Sequence, residues 1–266
     1  MIYLAGIVRR APAEPADRFP WSLPVLGELE TLTFTAPVTF LVGENGSGKS
    51  TLLEGLAAGM GAVAAGSREI ERDASLHGVG EFARAFRFVR RRHPRVKLFL
   101  RAEDVFGFTW RVVREIAGLH ELEDDFRERL PDGSDGQRRA MGLMAGQRRA
   151  LVERYGEEPL ACSHGETFLR ILQVRLAPSG LYFLDEPETP LSPSRVLSLL
   201  ALLKDRVQHD CQFIIATHSP LLLALPGAEI LLFEPRGVHP AAYDDLEHVR
   251  LTRDFLANPE RFLRHL

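Results

Sequence analysis

The sequence predicts an α/β fold: a mostly parallel sheet with helices on both faces. Three observations carry that expectation. An apolar, β-branched run, Val38-Thr39-Phe40-Leu41-Val42, leads through a glycine-rich loop into Thr51-Leu52-Leu53-Glu54-Gly55-Leu56-Ala57, which reads as a helix start. Two later apolar runs, Leu181-Tyr182-Phe183-Leu184 and Cys211 to Thr217, read as buried strands. Between them Leu191 to Gln208 repeats leucine at i, i+3 and i+4, the spacing of a helix that buries one face. Strands that alternate with helices pair in parallel and are covered on both sides.

The loop after the first of these strands is Gly43-Glu44-Asn45-Gly46-Ser47-Gly48-Lys49-Ser50. It fits G-x-x-x-x-G-K-[ST], the phosphate-binding loop, at every fixed position, and its strand-loop-helix context is the one that motif requires. Glycines let the backbone curl so that successive N–H groups face phosphate oxygens. The helix N-terminus adds partial positive charge. Lys49 is expected to reach the β- and γ-phosphates, Ser50 to ligate Mg²⁺, and Thr51 to bond an α-phosphate oxygen.

In chain order, Ile2 to Val8 reads as a strand. Ala11 to Pro24, with four prolines, reads as a surface loop. Leu29 to Phe34 alternates as a half-exposed strand, and Gly55 to Gly66 reads as a loose end to the helix after the glycine loop. Phe82 to Arg101 is the most basic segment, with Arg84, Arg87, Arg90, Arg91, Arg92, Arg95, Lys97 and Arg101. Inside it Val96 to Leu100 reads as a strand. Such a run is a solvated face or a patch that meets nucleic-acid phosphates. Asp104 to Tyr155 reads as mostly helical, with Val105, Phe108, Val112, Val113 and Ile116 at helical spacing and a polar turn at Pro131 to Gly136. It lacks sustained heptads, so a small helical lobe is expected rather than a long coiled-coil arm. Glu229 to Phe233 reads as a further strand, and Leu251 to Leu266 as two short helical pieces.

Net charge is −3, which does not by itself announce nucleic acid or a membrane. Cys162 and Cys211 lie far apart without a C-x-x-C, which argues against a disulfide framework or a zinc site. The apolar start precedes its arginines, unlike a signal peptide, and no apolar run nears the roughly 18 residues of a membrane helix. A soluble, cytoplasmic protein is expected.

Two further signals concern chemistry. Leu181 to Leu184 runs into Asp185-Glu186, two acids at a strand tip that call for a cation or hydrogen bonds. Asp185 is expected to bind Mg²⁺, directly or through water, and Glu186 to polarise an attacking water. The third strand ends in Thr217-His218-Ser219-Pro220. On the carboxyl edge of the sheet, where ligands bind, His218 can reach a γ-phosphate and that water.

Together these signals resemble the ABC-type ATPases. Cys162-Ser163-His164-Gly165-Glu166 stands where that superfamily keeps its signature, most often L-S-G-G-Q; Ser163 and Gly165 match, while His164 and Glu166 differ. Asp185-Glu186-Pro187-Glu188 matches a D-E-P Walker B, Pro190-Leu191-Ser192-Pro193 takes the place of the D-loop, and Thr217 to Pro220 matches the H-loop of SMC-like and DNA-repair relatives. More narrowly, Phe99-Leu100-Arg101-Ala102-Glu103 and Leu251 to Leu263 resemble a group of small stand-alone bacterial ATPases of the AAA/ABC-like kind. The resemblance implies a P-loop NTPase fold of the ABC ATPase type. Its N-terminal portion would be antiparallel β, and a helical subdomain at 104–164 would lie within a single domain spanning 1–266. It implies ATP and Mg²⁺ as ligands and a homodimer formed on ATP binding. Ser163, Gly165 and Glu166 of one copy would then close over the nucleotide of the other. Catalysis would rest on Lys49, Glu186 and His218. The Q-loop glutamine is missing; Glu103 or Arg101 occupies that region, and Glu103 is a candidate near Mg²⁺, beside Ser50 and Asp185. Phe19 and Trp21 are candidates to stack on adenine, or else core aromatics.

The leading expectation is thus an ATP-hydrolysing clamp or switch. The alternatives are a DNA-repair-type ATPase that binds DNA through the arginine run, the ATP-binding subunit of a transporter, and a nucleotide-sensing module with negligible turnover, such as part of a toxin-type system. The absent Q-loop glutamine and L-S-G-G-Q weigh against the transporter, and the presence of Glu186 and His218 against pure sensing.

Overall fold

The computed structural model describes residues 1–11, 18–64, 79–156 and 163–264. The middle of the proline-rich loop, the end of the Gly55–Gly66 segment, Cys162 and the last two residues of the tail lie outside these, as does the side chain of Val105.

A seven-stranded sheet carries the site. Its strands are β3 (Val38–Gly43), β4 (Val63–Ala64), β6 (Val96–Arg101), β7 (Gly180–Asp185), β8 (Gln212–Ala216), β9 (Glu229–Glu234) and β10 (Gly237–Pro240), in spatial order β10-β9-β3-β8-β7-β6-β4. All neighbours are parallel except β10, which returns antiparallel on β9. The central strands are apolar on both faces because both are covered. Phe40, Val42, Tyr182, Leu184, Phe213 and Ile215 enter one core, and Leu41, Leu181, Phe183, Ile214 and Ala216 the other. Period-2 alternation divides each strand between two cores.

A second sheet, β2-β1-β5, is antiparallel and consists of β1 (Leu4–Arg9), β2 (Thr31–Thr33) and β5 (Phe86–Arg90). Gln212, fully buried on β8, ties it to the main sheet. Its Oε1 accepts from Tyr3 N and Leu4 N at 2.7 and 2.9 Å, and its Nε2 donates to Leu4 O at 2.9 Å. The amide group thus satisfies backbone groups that a strand would otherwise pair.

The helices are α1 (Pro24–Gly27), α2 (Lys49–Met60), α3 (Val79–Ala85), α4 (Ala102–Arg129), α5 (Asp135–Tyr155), α6 (His164–Arg175), α7 (Pro193–Gln208), α8 (Pro220–Leu223), α9 (Glu247–Ala257) and α10 (Pro259–Leu263). Packing α2 against α3 and β5 corrects one expectation. The helix does not loosen at Gly55 but runs to Met60. Gly55 and Gly59 are there for close approach: a Cβ would stand 2.2 Å from Phe82 Cδ1 at the first and 1.9 Å from Phe88 Cζ at the second. Two aromatic rings press against the helix backbone, and that burial outweighs the roughly 1 kcal/mol cost of each helical glycine.

The arginine run builds an element of its own. Phe82, Phe86 and partly buried Phe88 face inward, while Arg84, Arg87, Arg90, Arg91, Arg92 and Arg95 are exposed on α3, β5 and the turn into β6. β5 is an edge strand, and like charges along an edge discourage pairing with another chain. α4 and α5 form an antiparallel hairpin; at 1.5 Å per residue α4 is about 42 Å long. Phe108, Val112 and Tyr155 seat its base in the core that holds Phe40 and Phe213.

Candidate functional site

Strand order assembles the three sequence signals. β3, β8 and β7 are immediate neighbours, with Leu41 opposite Ala216 and Ala216 opposite Asp185. Their carboxyl ends therefore meet at one rim, where the glycine loop, Asp185-Glu186 and Thr217-His218 begin. Thr217 N donates to Leu41 O at 3.2 Å and Glu186 N to Ala216 O at 2.9 Å, locking the three tips together.

The loop from Gly43 through Glu44, Asn45, Gly46, Ser47 and Gly48 bends into α2, whose first turn is Lys49, Ser50 and Thr51. Gly43, Gly46 and Gly48 all have positive φ, at 155°, 79° and 98°. Gly43 is also enclosed, since a Cβ would lie 2.6 Å from Phe233 O. Gly43→Ala is expected to cost about 3 kcal/mol or more from strain and overpacking against backbone. Thermal melting should fall by about 5–10 °C; an unchanged melting temperature would contradict this packing.

Lys49 is 5 % exposed, and its Nζ donates to Gly43 O and Glu44 O, both at 2.7 Å. Burial pushes its pKa down, and the nearby charges of Glu186 and Asp185 oppose that shift. The ammonium is thus confined at the loop mouth. Ser47 Oγ is buried there without a partner.

Ser50 Oγ donates to Asp185 Oδ1 at 3.1 Å, which brings together the two residues expected at Mg²⁺. Burial raises the Asp185 carboxyl to about 6; the Ser50 bond and then the Arg101 charge work against the rise, and the Glu186 and Glu103 charges add to it. A hydroxyl and a desolvated carboxylate form a hard oxygen donor pair, which fits Mg²⁺, an ion that takes one or two protein ligands plus phosphates and water. A cation there would hold the carboxyl ionised. Because a proton and the cation compete for Asp185, Mg²⁺-dependent nucleotide affinity should fall about tenfold per pH unit below roughly pH 6 and level off above it. Titration calorimetry across pH 5–8 checks this; a flat profile would contradict the competition.

Glu186 is exposed and sits at φ 45°, a left-handed conformation rare outside glycine. Such strain persists where surrounding contacts hold it; here Thr189 N donates to Glu186 O at 3.1 Å and Thr189 Oγ1 to Glu186 Oε2 at 3.5 Å. The turn re-aims the second acid away from β7. Burial, then the Lys49 charge, lower the His218 pKa, with the Glu186 charge opposing. Its imidazole is therefore neutral at pH 7, and its Nε2 is buried without a partner.

Glu188 is the residue the motif reading passed over. Its Oε1 accepts from Thr217 Oγ1 at 2.5 Å and from His218 N at 2.9 Å, so it fixes the backbone that carries the histidine. Burial raises its pKa, against the hydrogen bonds from Thr217 and His218. A third acid two residues beyond Glu186, in Asp185-Glu186-Pro187-Glu188, was the available signal. Arg101 stands with Glu103 in the Q-loop region. Opposite Asp185 on β6, it is mostly buried and contacts Glu54 of α2. Glu103, in the first turn of α4, is exposed and 4.0 Å from Arg101, while its charge still reaches Asp185.

Ser163 is the N-cap of α6, and its carbonyl accepts from Glu166 N and Thr167 N at 2.9 and 3.1 Å. Gly165 packs against the stretch after Walker B, where a Cβ would lie 2.8 Å from Pro190 O. Glu166 Oε2 meets Arg195 Nη2 at 3.4 Å. The signature turn thus rests on Pro190–Arg195, at the start of α7. Trp21 is engaged in the core, stacked on Phe82 with centroids 6.0 Å apart and carrying the Arg9 guanidinium at 4.9 Å. Phe19 is exposed. α1 closes over the glycine loop, with Leu23 and Leu26 beside Gly48.

A glycine loop, an acid pair and a histidine at adjoining strand tips of a mostly parallel sheet mark a P-loop fold. The family profile described as "AAA domain, putative AbiEii toxin, Type IV TA system" matches residues 65–224, more than half of the sequence. The chain belongs to that AAA-domain family. No curated protein matches it. Among solved structures, one described as "An inward-facing conformation of a putative metal-chelate type ABC transporter" is 16 % identical at a TM-score of 0.49, covering 95 % of this chain and 88 % of its own. The cbiO1 protein of Clostridium perfringens, described as part of an ABC transporter complex, is 16 % identical at 0.45 with full coverage of both chains. An ATP-binding cassette dimer in a post-hydrolysis state, bound to ADP and Pi, is 14 % identical at 0.40, covering 81 % and 90 %. Among the described residues no helix is long and apolar enough to cross a membrane.

Proposed function

We propose that this chain is an Mg-ATP hydrolysing switch, with the nucleotide on its sheet rim and a second copy closing over it. The observation that carries the reading is the convergence of Lys49, the Ser50–Asp185 pair, Glu186 and His218 at three adjoining strand tips. These are the parts that phosphoryl transfer to water requires.

In this reading the amides of Gly43 to Thr51 hold the triphosphate. Lys49 leaves its two carbonyl partners and offsets charge on the transferring phosphoryl group. Ser50 and Asp185 would hold Mg²⁺, which would supply positive charge to offset the charge on the phosphates. Glu186 orients the attacking water and accepts its proton. His218, neutral, donates a hydrogen bond to a γ-phosphate oxygen, with its backbone held by Glu188. Glu103, exposed in the first turn of α4 with its charge reaching Asp185, is proposed as an outer contributor through water.

Ser163, Gly165 and Glu166 would act on the nucleotide of the second copy. A γ-phosphate facing solvent leaves acceptor oxygens that the N-terminus of a partner's α6 satisfies. ATP then holds the pair closed, and hydrolysis removes the reason to stay closed. The family description names a toxin–antitoxin context; a nucleotide-timed assembly is compatible with such a role. The test is steady-state phosphate release. The reading requires turnover that depends on Mg²⁺ and rises with protein concentration in the range where copies pair. Tight ATP binding without release would instead support a sensing module.

A further inference from the structure

The tail of the chain leaves the body at the nucleotide rim. Tyr243 Oη donates to Pro220 O at 3.1 Å, two residues after His218. Leu246 and Val249 are buried in the same core as Leu222 and Leu223 of α8. His248, between them, has its Nε2 buried without a partner, and after burial itself the nearby His218 disfavours its protonation. The root of α9 is therefore against the His218 turn.

Beyond Val249 burial stops, although Arg253 Nη2 donates to Asp244 Oδ1 at 2.6 Å and ties α9 to the turn before it. Every residue from 250 to 261 is exposed. α9 and α10 fold on each other, with the Phe255 and Phe262 rings 5.7 Å apart and Asn258 Oδ1 accepting from Arg261 N at 3.2 Å. Leu251, Leu256 and Leu263 are left 55, 72 and 56 % exposed, beside Phe255. Helices of 11 and 5 residues are marginal alone and need an apolar face packed on something. Neither the sheet nor the other described helices supply that surface.

We infer that the α9–α10 hairpin is a clasp that lays its Leu251–Phe255–Leu256 face on a second copy of this chain. This rests on the paired reading proposed above. The hairpin springs from the rim that the second copy would cover, so the two contacts are continuous. The chain also presents a receiving surface on elements flanking that rim: Leu197 of α7 and Leu221 of α8 are exposed, at 57 and 40 %. The hairpin carries both signs of charge, with Asp254 and Glu260 beside Arg250, Arg253 and Arg261, which suits a copy of a near-neutral protein better than a strongly charged partner.

The test uses full-length Glu186→Gln protein, with and without Leu251→Asp plus Leu256→Asp, in saturating Mg-ATP. The clasp predicts that the doubly substituted chain needs about tenfold more protein to dimerise. Measured at protein concentrations below pairing, its Mg-ATP affinity should stay that of the parent, as should its nucleotide-free melting temperature, because the face is unpacked in a single copy. Dimerisation within twofold of the parent overturns the clasp and leaves the paired reading standing. A parent that stays monomeric overturns both. A lower melting temperature without nucleotide also overturns the clasp, since it means the face packs within its own chain.

Discussion

Lys49→Ala is expected to weaken Mg-ATP binding by about 100-fold or more. The ammonium is buried at the mouth of the glycine loop and makes both its hydrogen bonds to loop carbonyls, so it is already committed to this pocket. Removing one partner of a buried charge pair costs about 2–5 kcal/mol, which is roughly 30- to several-thousand-fold in affinity. Alanine also frees the Gly43 and Glu44 carbonyls to point at phosphate, adding repulsion where there was compensation. Calorimetry or fluorescent-nucleotide titration reads the loss. Binding within tenfold of wild type would remove the loop from the account. The fold should survive the change, because burial disfavours the charged lysine in the empty protein.

The second large effect is on turnover. Glu186→Gln should lower the hydrolysis rate by about 10²–10⁴, the range for a positioned general base, with nucleotide affinity kept within a few-fold. Glutamine has the same shape and can still accept from Thr189 Oγ1, but it cannot take a proton. The variant also removes the acid that favours charged Lys49 and protonated His218, so His218 should become still harder to protonate. Single-turnover phosphate release measures the rate. A rate within fivefold of wild type would assign the proton to another group.

The nucleotide rim was readable in the sequence because its pieces are local. Gly43 to Ser50 is a continuous motif, Asp185 and His218 each end an apolar run, and parallel pairing brings such runs to one edge. What could not be read depends on partners distant in sequence. Glu188 became meaningful only through Thr217 and His218, some thirty residues on. Arg101 reads as one more arginine in a basic stretch until β6 pairs with β7 and sets it opposite Asp185. β5 escaped notice because Arg87 and Arg90 masked the inward Phe86 and Phe88. Gly55 and Gly59 pointed the wrong way: glycine signals a helix end when nothing is known of the rings that will lie on it. The clasp hairpin was legible as two helices, but its exposure belongs to the folded body.

The most direct measurement is the mass in solution of Glu186→Gln protein with and without Mg-ATP. A nucleotide held on one rim and closed by a second copy predicts one chain without nucleotide and two chains with it, reverting when Mg²⁺ is chelated. A protein that binds Mg-ATP to saturation and keeps the mass of a single chain would contradict the account.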